Sequence, residues 1–139
     1  MRIDFTNRKE IDKLYIHDSF FEGYVYNYYK RQINFSCNNS YLKKKFIFTF
    51  NNVIFSSMQS CLFWKGGDSI LVVYLDENND ELKHLIEIQN SKPDLYDGSC
   101  LSESTDYLPV VFEINSGDVL LIICESLDII EEEFNVDNM

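Results

Sequence analysis

The stretch that decides the fold is Phe46-Ile47-Phe48-Thr49-Phe50-Asn51-Asn52-Val53-Ile54-Phe55, the start of the densest apolar segment, which runs on to Trp64. Five bulky side chains occupy even positions before the Asn pair and odd positions after it. They are Phe46, Phe48 and Phe50, then Val53 and Phe55. Because a strand shows one face every second residue, this change of parity needs a structural cause. Either Asn51 and Asn52 form a two-residue hairpin turn, or one strand continues through a bulge. Both predict that all five bulky side chains share one core face.

Length and composition favour one β-rich domain over residues 1–139. The chain of 139 residues is long enough to bury a core without metal or disulfide support. Eleven Phe and nine Tyr, against five Gly and two Pro, favour strands over disorder. We therefore predict a mainly β, antiparallel fold: a two-layer sandwich or a strongly curved, partly closed sheet, with one or two peripheral short helices.

Strand patterns flank the central stretch on both sides. Residues 19–28 and 32–37 alternate in polarity and predict an antiparallel pair. Residues 70–75 lack polar alternation, which predicts a strand covered on both faces. Residues 107–125 predict a hairpin, in which Gly117 supplies the positive φ of the turn.

Two short helices and two irregular segments complete the prediction. Residues 7–15 place Ile11, Leu14 and Tyr15 on one helical face. Residues 79–89 favour a helix, although apolar residues there also alternate as in a strand. Two segments remain: a long loop at about 90–104 and an acidic C-terminal tail at about 127–139.

Cysteine spacing and the apolar runs indicate a cytoplasmic protein without a cofactor. No two of the four Cys form a C-x-x-C pair, and the two His lie at no ligand spacing, so we expect reduced, buried thiols and no metal. Residues 1–10 contain no apolar core of a secretory signal, and the apolar runs are too short to cross a bilayer. We expect no membrane contact.

Charge is divided unevenly along the chain. Residues 1–65 carry ten Lys and Arg against five Asp and Glu, whereas residues 66–139 carry two against eighteen. A field this negative repels nucleic acid and attracts basic partners. The opposing interpretation is that an acidic surface keeps the protein dissolved.

No catalytic residue is predicted. His17, Asp18 and Ser19 are the residue types of a hydrolase site, but in an extended chain Asp18 points away from the other two. Three consecutive residues therefore cannot form a relay among themselves. A turn at the start of a strand, bonded to local backbone N–H groups, explains them better.

An alternative function rests on a tyrosine-rich face. Tyr24, Tyr26 and Tyr28 precede Lys30 and Arg31, and some β-folds hold single-stranded nucleic acid on aromatic rings flanked by cations. Because the overall charge opposes nucleic acid, the alternative is a small molecule, a sugar or a nucleobase, bound on the tyrosine-rich face. Such a small-molecule site would also use Trp64. The opposing interpretation is a sheet face with packed rings and wet hydroxyl groups.

Several short motifs, taken in order, resemble those of a known group of proteins. They are Ile16-His17-Asp18-Ser19, Gly23-Tyr24, Phe50-Asn51-Asn52-Val53, Trp64, Ser116-Gly117-Asp118 and Cys124-Glu125-Ser126. Their order resembles that of short, uncharacterised bacterial proteins encoded near polymorphic, contact-dependent toxins and regarded as immunity proteins. The resemblance implies a non-catalytic protein that binds and neutralises a toxin domain.

A basic toxin domain would suit the charge of this chain. The acidic residues around the long loop are the predicted partner-binding site. They are Asp76, Glu77, Asp80, Asp94, Asp97, Glu103 and Asp106. We expect a protein partner and no nucleic acid, and the sequence is compatible with a homo-oligomer.

Overall fold

The computed structural model describes residues 1–59, 69–91 and 106–133. Within these ranges the chain forms nine β-strands, one 3₁₀ helix (Arg8–Lys13) and one α-helix, α1 (Asp80–Ser91). The strands are β1 (Arg2–Ile3), β2 (Phe20–Asn27), β3 (Gln32–Asn39), β4 (Lys44–Asn51), β5 (Phe55–Gln59), β6 (Ile70–Leu75), β7 (Leu108–Ile114), β8 (Val119–Cys124) and β9 (Ser126–Glu133).

The strands form two antiparallel sheets that pack as a sandwich, as predicted. The five-stranded sheet has the order β1-β9-β4-β3-β2, and the four-stranded sheet has the order β5-β8-β7-β6. One pair, Phe20 with Ser69, bridges the edges of the two sheets, so the sandwich is joined along one side.

The core between the sheets is built on stacked aromatic rings. Phe48 stacks on Phe35 with ring centroids 4.7 Å apart, and Phe50 continues the stack. Phe112 of the opposite sheet meets Phe35 edge-on at 4.9 Å. Because edge-to-face and offset stacked rings are the favoured aromatic geometries, this cluster fixes how the two sheets face each other.

A second, smaller core lies on the outer side of the four-stranded sheet. Leu82 and Leu85 of α1 pack there with Val111, Leu121 and Ile123. The helix favoured over residues 79–89 is therefore confirmed as Asp80–Ser91. It is capped by Asn79, whose Oδ1 accepts a hydrogen bond from the backbone N–H of Leu82 at 3.0 Å.

The strands covered on both faces are β7 and β8, not β6. Leu71 and Val72 of β6 are exposed beside a register shift, so the prediction for residues 70–75 is wrong on this point. The predicted hairpin around Gly117 is confirmed: its φ is +94°, and its N–H donates to the carbonyl of Ile114 at 2.8 Å.

The Asn51-Asn52 step is neither a hairpin turn nor a bulge. The chain leaves the five-stranded sheet at Asn51, takes a positive φ of 52° at Asn52 and enters the four-stranded sheet, where β5 pairs with β8. Val53 stays in the central core, whereas Phe55 packs in the second core. The prediction of one shared face is therefore wrong for Phe55.

The predicted tail is wrong for residues 127–133, which belong to β9, between β1 and β4 in the five-stranded sheet. Lys44 and Lys45 of β4 lie opposite Glu133 and Glu132. Lys44 Nζ also lies 3.1 Å from Glu131 Oε2. The acidic run is therefore held beside the lysine run, and residues 134–139 lie outside the described residues.

The N-terminal helix is a 3₁₀ helix rather than an α-helix. Ile11 is buried and Leu14 packs on the core, but Tyr15 is exposed, so the predicted three-residue face is wrong for Tyr15. The predicted pair formed by residues 19–28 and 32–37 is confirmed as β2 and β3, with Phe35 and Cys37 buried.

Candidate functional site

The two layers of the sandwich differ sharply in charge. Residues 1–54 and 126–133, which build the five-stranded layer, carry nine Lys and Arg against nine Asp and Glu. Residues 55–59, 69–91 and 106–125, which build the four-stranded layer and α1, carry one Lys against nine Asp and Glu. Within the described residues the negative charge is therefore concentrated on one side of the molecule.

Four of the predicted acidic residues lie at one end of the four-stranded sheet. Asp76 and Glu77 follow β6, Asp80 begins α1, and Asp106 lies just before β7. The backbone N–H of Asp76 donates to the carbonyl of Pro109 at 2.9 Å, which ties the end of β6 to the start of β7. The other three residues, Asp94, Asp97 and Glu103, lie outside the described residues.

Asp76 and Glu77 support the turn before α1. Asp76 Oδ2 accepts a hydrogen bond from Asn79 Nδ2 at 3.2 Å and so supports the residue that caps α1. Glu77 Oε1 lies 2.9 Å from Arg8 Nε, and the Arg8 guanidinium is 4.1 Å from the centroid of the Phe5 ring. Asp76 and Glu77 therefore hold the helix and its preceding loop in place.

The solvent side of α1 supplies three further carboxylates. Asp80, Glu81 and Glu87 are exposed, while Leu82 and Leu85 face the second core. The sequence-based choice of partner-binding residues missed Glu81 and Glu87. Helical periodicity could have found them, since residues off the apolar face of an amphipathic helix point to solvent.

His17, Asp18 and Ser19 do not form a catalytic relay. The Ser19 side chain is buried, and its Oγ accepts a hydrogen bond from Asn39 Nδ2 at 3.2 Å. His17 uses Nδ1 to contact the carbonyl of Leu71 at 2.7 Å, and its Nε2 lies 3.4 Å from Asp18 Oδ2. The serine is thus held by an amide rather than by an imidazole base.

Asn39 explains why this turn is ordered. The same buried amide donates to the carbonyl of His17 at 3.1 Å and accepts from the N–H of Leu42 at 2.9 Å. Two hydrogen bonds from one side chain to separate turns stabilise both, because a buried amide left without partners would be costly. The motif therefore positions the start of β2.

The two described cysteines lie inside the core. Burial raises the pKa of the Cys37 thiol to about 12, and burial also raises the pKa of Cys124 strongly. Since the thiolate is the nucleophile and the metal ligand, neither thiol is suited to those roles at neutral pH. No group of three or more His, Cys, Asp or Glu within the described ranges could hold a metal ion.

The three predicted tyrosines do not form one open face. A bulge at Gly23, with φ +124°, places Tyr24 opposite Phe35, and Tyr24 packs against the central core. Tyr26 and Tyr28 are exposed and meet edge-on with ring centroids 6.4 Å apart. Trp64 lies outside the described residues.

Comparisons with known proteins indicate no function for the chain, so a functional proposal depends on the geometry described above. No protein-family model matches the chain, and no curated protein matches it significantly. Among the helices of the described residues, none has the length and apolar character needed to span a membrane.

Proposed function

We propose that this protein is a non-catalytic, cytoplasmic binding protein of the immunity type, which neutralises a basic toxin domain by binding it on the acidic layer. The observation that carries the proposal is the charge difference between the layers. One layer is balanced, and the layer that contains α1 has nine carboxylates against one lysine. A surface of one sign accelerates encounter with a partner of the opposite sign and favours its correct orientation.

The acidic helix is suited to present its carboxylates rigidly. Asn79 caps its first turn, and Leu82 and Leu85 anchor it on β7 and β8. Asp80 and Glu81 in the first turn interact favourably with the positive end of the helix dipole. A preorganised acidic face loses little conformational entropy when a partner binds, which favours affinity.

Among the described residues, the chemistry of Ser19, Cys37 and Cys124 also favours binding over catalysis. Ser19 Oγ is occupied by Asn39, and the thiols of Cys37 and Cys124 are buried and protonated. These contacts suit a rigid scaffold. A protein that acts by occlusion needs such a scaffold and a complementary surface.

The direct test is co-expression with the product of the adjacent gene. We expect rescue of growth and co-purification of a complex. The absence of both growth rescue and a complex would overturn the proposal.

Two matched variants locate the surface. The first is D80N/E81Q/E87Q, which removes three charges from α1 while keeping side-chain size. The second is E131Q/E132Q/E133Q, which removes three charges from β9 in the balanced layer. We expect the α1 variant to weaken the complex at least about tenfold at low salt, and the β9 variant to weaken it about twofold or less. Equal effects would show that only net charge matters and would sink the assignment to α1.

The loop that follows α1 is tested separately. Replacing Asp94, Asp97 and Glu103 by Lys reverses three charges in the segment predicted from the sequence to contribute to the site. We expect weaker capture of the basic partner. Unchanged affinity would remove these three residues from the site and leave α1 as its centre.

A further inference from the structure

A surface pocket of about 670 Å³ lies where the edges of the two sheets meet. Phe20 of β2 bridges to Ser69, which precedes β6. The N–H of Asp18 donates to the carbonyl of Ile70 at 2.9 Å, and the N–H of Ile70 donates to the carbonyl of Ser19 at 2.8 Å. Because these backbone bonds tie the two sheets together, the pocket is formed before any ligand arrives.

The pocket combines carboxylates with exposed aromatic rings. Asp18 and Glu22 line it, and Glu22 Oε1 accepts a hydrogen bond from Asn38 Nδ2 at 3.0 Å. The rings are those of Phe20 and Tyr41, which are 44% and 82% exposed. Exposed rings beside carboxylates are suited to cations, since the ring face is electronegative and the carboxylate forms ion pairs.

Two features of the pocket lack partners among the described residues. No Lys or Arg of the described chain lines it, and Lys45, opposite Asn38 in the neighbouring strand, lines an adjacent pocket together with Glu22. Asn38 Oδ1 is buried without a hydrogen-bond donor in that part of the chain. This oxygen has almost no accessible surface, so a ligand in the open pocket does not reach it. A cationic ligand would supply the positive charge that the described walls of the pocket lack.

We propose that this pocket binds the guanidinium group of an arginine side chain. Glu22 is the principal carboxylate, because Asp18 is shared with His17 Nε2 at 3.4 Å. The planar guanidinium stacks on aromatic rings and carries five N–H donors, whereas the lysine ammonium carries three and is more strongly hydrated. The source of the arginine, a surface residue of the basic partner, rests on the proposed function; the chemistry of the pocket does not.

The test is a titration of the full chain, labelled with ¹⁵N, with N-acetyl-arginine methylamide, followed by NMR. We expect saturable shifts of the amides of residues 18–22, 38–41 and 69. The citrulline derivative, nearly the same shape without the charge, should produce no saturable shift, and the lysine derivative should bind more weakly. Saturable binding of citrulline equal to that of arginine, or no saturable binding at all, would overturn the proposal.

Matched variants test whether binding of the arginine derivative depends on residues of the pocket. We expect E22Q and Y41A each to weaken binding of the arginine derivative at least about fivefold. E132Q and Y29A change the same residue types on exposed positions elsewhere and should leave it unchanged. Unaltered binding to both pocket variants would also overturn the proposal.

The same variants separate this inference from the proposed function. If the arginine derivative binds but the neighbouring gene's product forms no complex, the pocket stands and the immunity function fails. If a complex forms, and neither E22Q nor Y41A weakens it while the arginine derivative does not bind, the function stands and the pocket fails.

Discussion

The two sheets of the sandwich use their faces differently. The five-stranded sheet buries one face, so β3 and β4 alternate between buried and less buried residues. The four-stranded sheet is covered on both sides in its centre, so β7 and β8 are almost continuously buried. A second layer of packing, provided by α1, accounts for this difference.

The comparison explains where charge can reside. Strands buried on both faces have no room for solvated carboxylates, and β8 accordingly contains no charged residue. The acidic side chains of that half therefore lie on α1, in turns and at strand ends. The five-stranded sheet instead balances acids and bases across neighbouring strands, as in Lys44 and Glu131. The charges of the five-stranded layer are thus balanced, and the four-stranded layer keeps a net negative charge.

Phe112→Ala should have the largest effect, because it removes the ring that joins the two sheets. We expect a loss of about 4 kcal/mol in the free energy of unfolding, measured by urea denaturation followed by circular dichroism. Val72→Ala in the neighbouring strand β6, where the side chain is exposed, is the control and should cost less than about 1 kcal/mol. A small effect of Phe112→Ala would mean that the aromatic stack does not hold the sheets together.

Alkaline pH should destabilise the central core through its thiols. The folded-state pKa of Cys37 is raised to about 12 from an ordinary value of 9.0, so its contribution is complete below pH 9 and is lost as pH rises toward 12. The expected loss is about 1.4 kcal/mol per pH unit for this thiol, measured as the midpoint of urea unfolding between pH 8 and 11.

Cys37→Ala provides the matched test of that slope. Its stability should start lower because a buried group is removed, but it should fall less steeply with pH. If wild type and Cys37→Ala show the same slope above pH 9, burial of this thiol does not control the alkaline transition.

Leu85→Ala tests whether the packing of α1 contributes less to the free energy of unfolding than the central core does. Since Leu85 is only half-buried, we expect a loss of about 1–2 kcal/mol, smaller than that of Phe112→Ala. Hydrogen exchange should show faster opening of α1 while β3 and β4 remain protected. A loss as large as that of Phe112→Ala would abolish the distinction between the two cores.

Glu77→Gln should have the smallest effect. The Arg8–Glu77 pair joins the N-terminal segment to the loop before α1, but both side chains are partly exposed. We expect a loss of about 0.5 kcal/mol that vanishes in high salt, measured by thermal unfolding at two ionic strengths. A larger, salt-independent loss would show that this contact holds the two layers together.

Local patterns predicted the elements and the pairs β2–β3 and β7–β8, but not the partners that are distant in sequence. The alternation of Ile33, Phe35 and Cys37 identified a half-buried strand, and helical spacing identified α1. The Asn51-Asn52 step was misassigned because parity cannot reveal which strand receives the chain. That partner, β8, is far away in sequence, and Ile54 donates its N–H to the carbonyl of Ile123 at 2.9 Å.

The acidic run at residues 131–133 was misassigned for the same reason, since its partner strand is distant in sequence. Glu131, Glu132 and Glu133 have the pattern of a solvated tail, and only their register with Lys44 and Lys45 makes them part of a strand. For the site, the sequence indicated the acidic region around α1. It could not indicate the pocket beside Phe20, because its walls come from three segments that meet only in the folded chain.

The interior position of β9 has a consequence for the order of folding. The N-terminal amine donates a hydrogen bond to the carbonyl of Ile129, across 128 positions of sequence, and β9 separates β1 from β4. During synthesis these two strands lack their shared neighbour until residues 126–133 have emerged from the ribosome, and sheets built on such distant pairings fold slowly. In that interval β4 has an open edge, and Lys43, Lys44 and Lys45 at its start oppose pairing with other nascent chains.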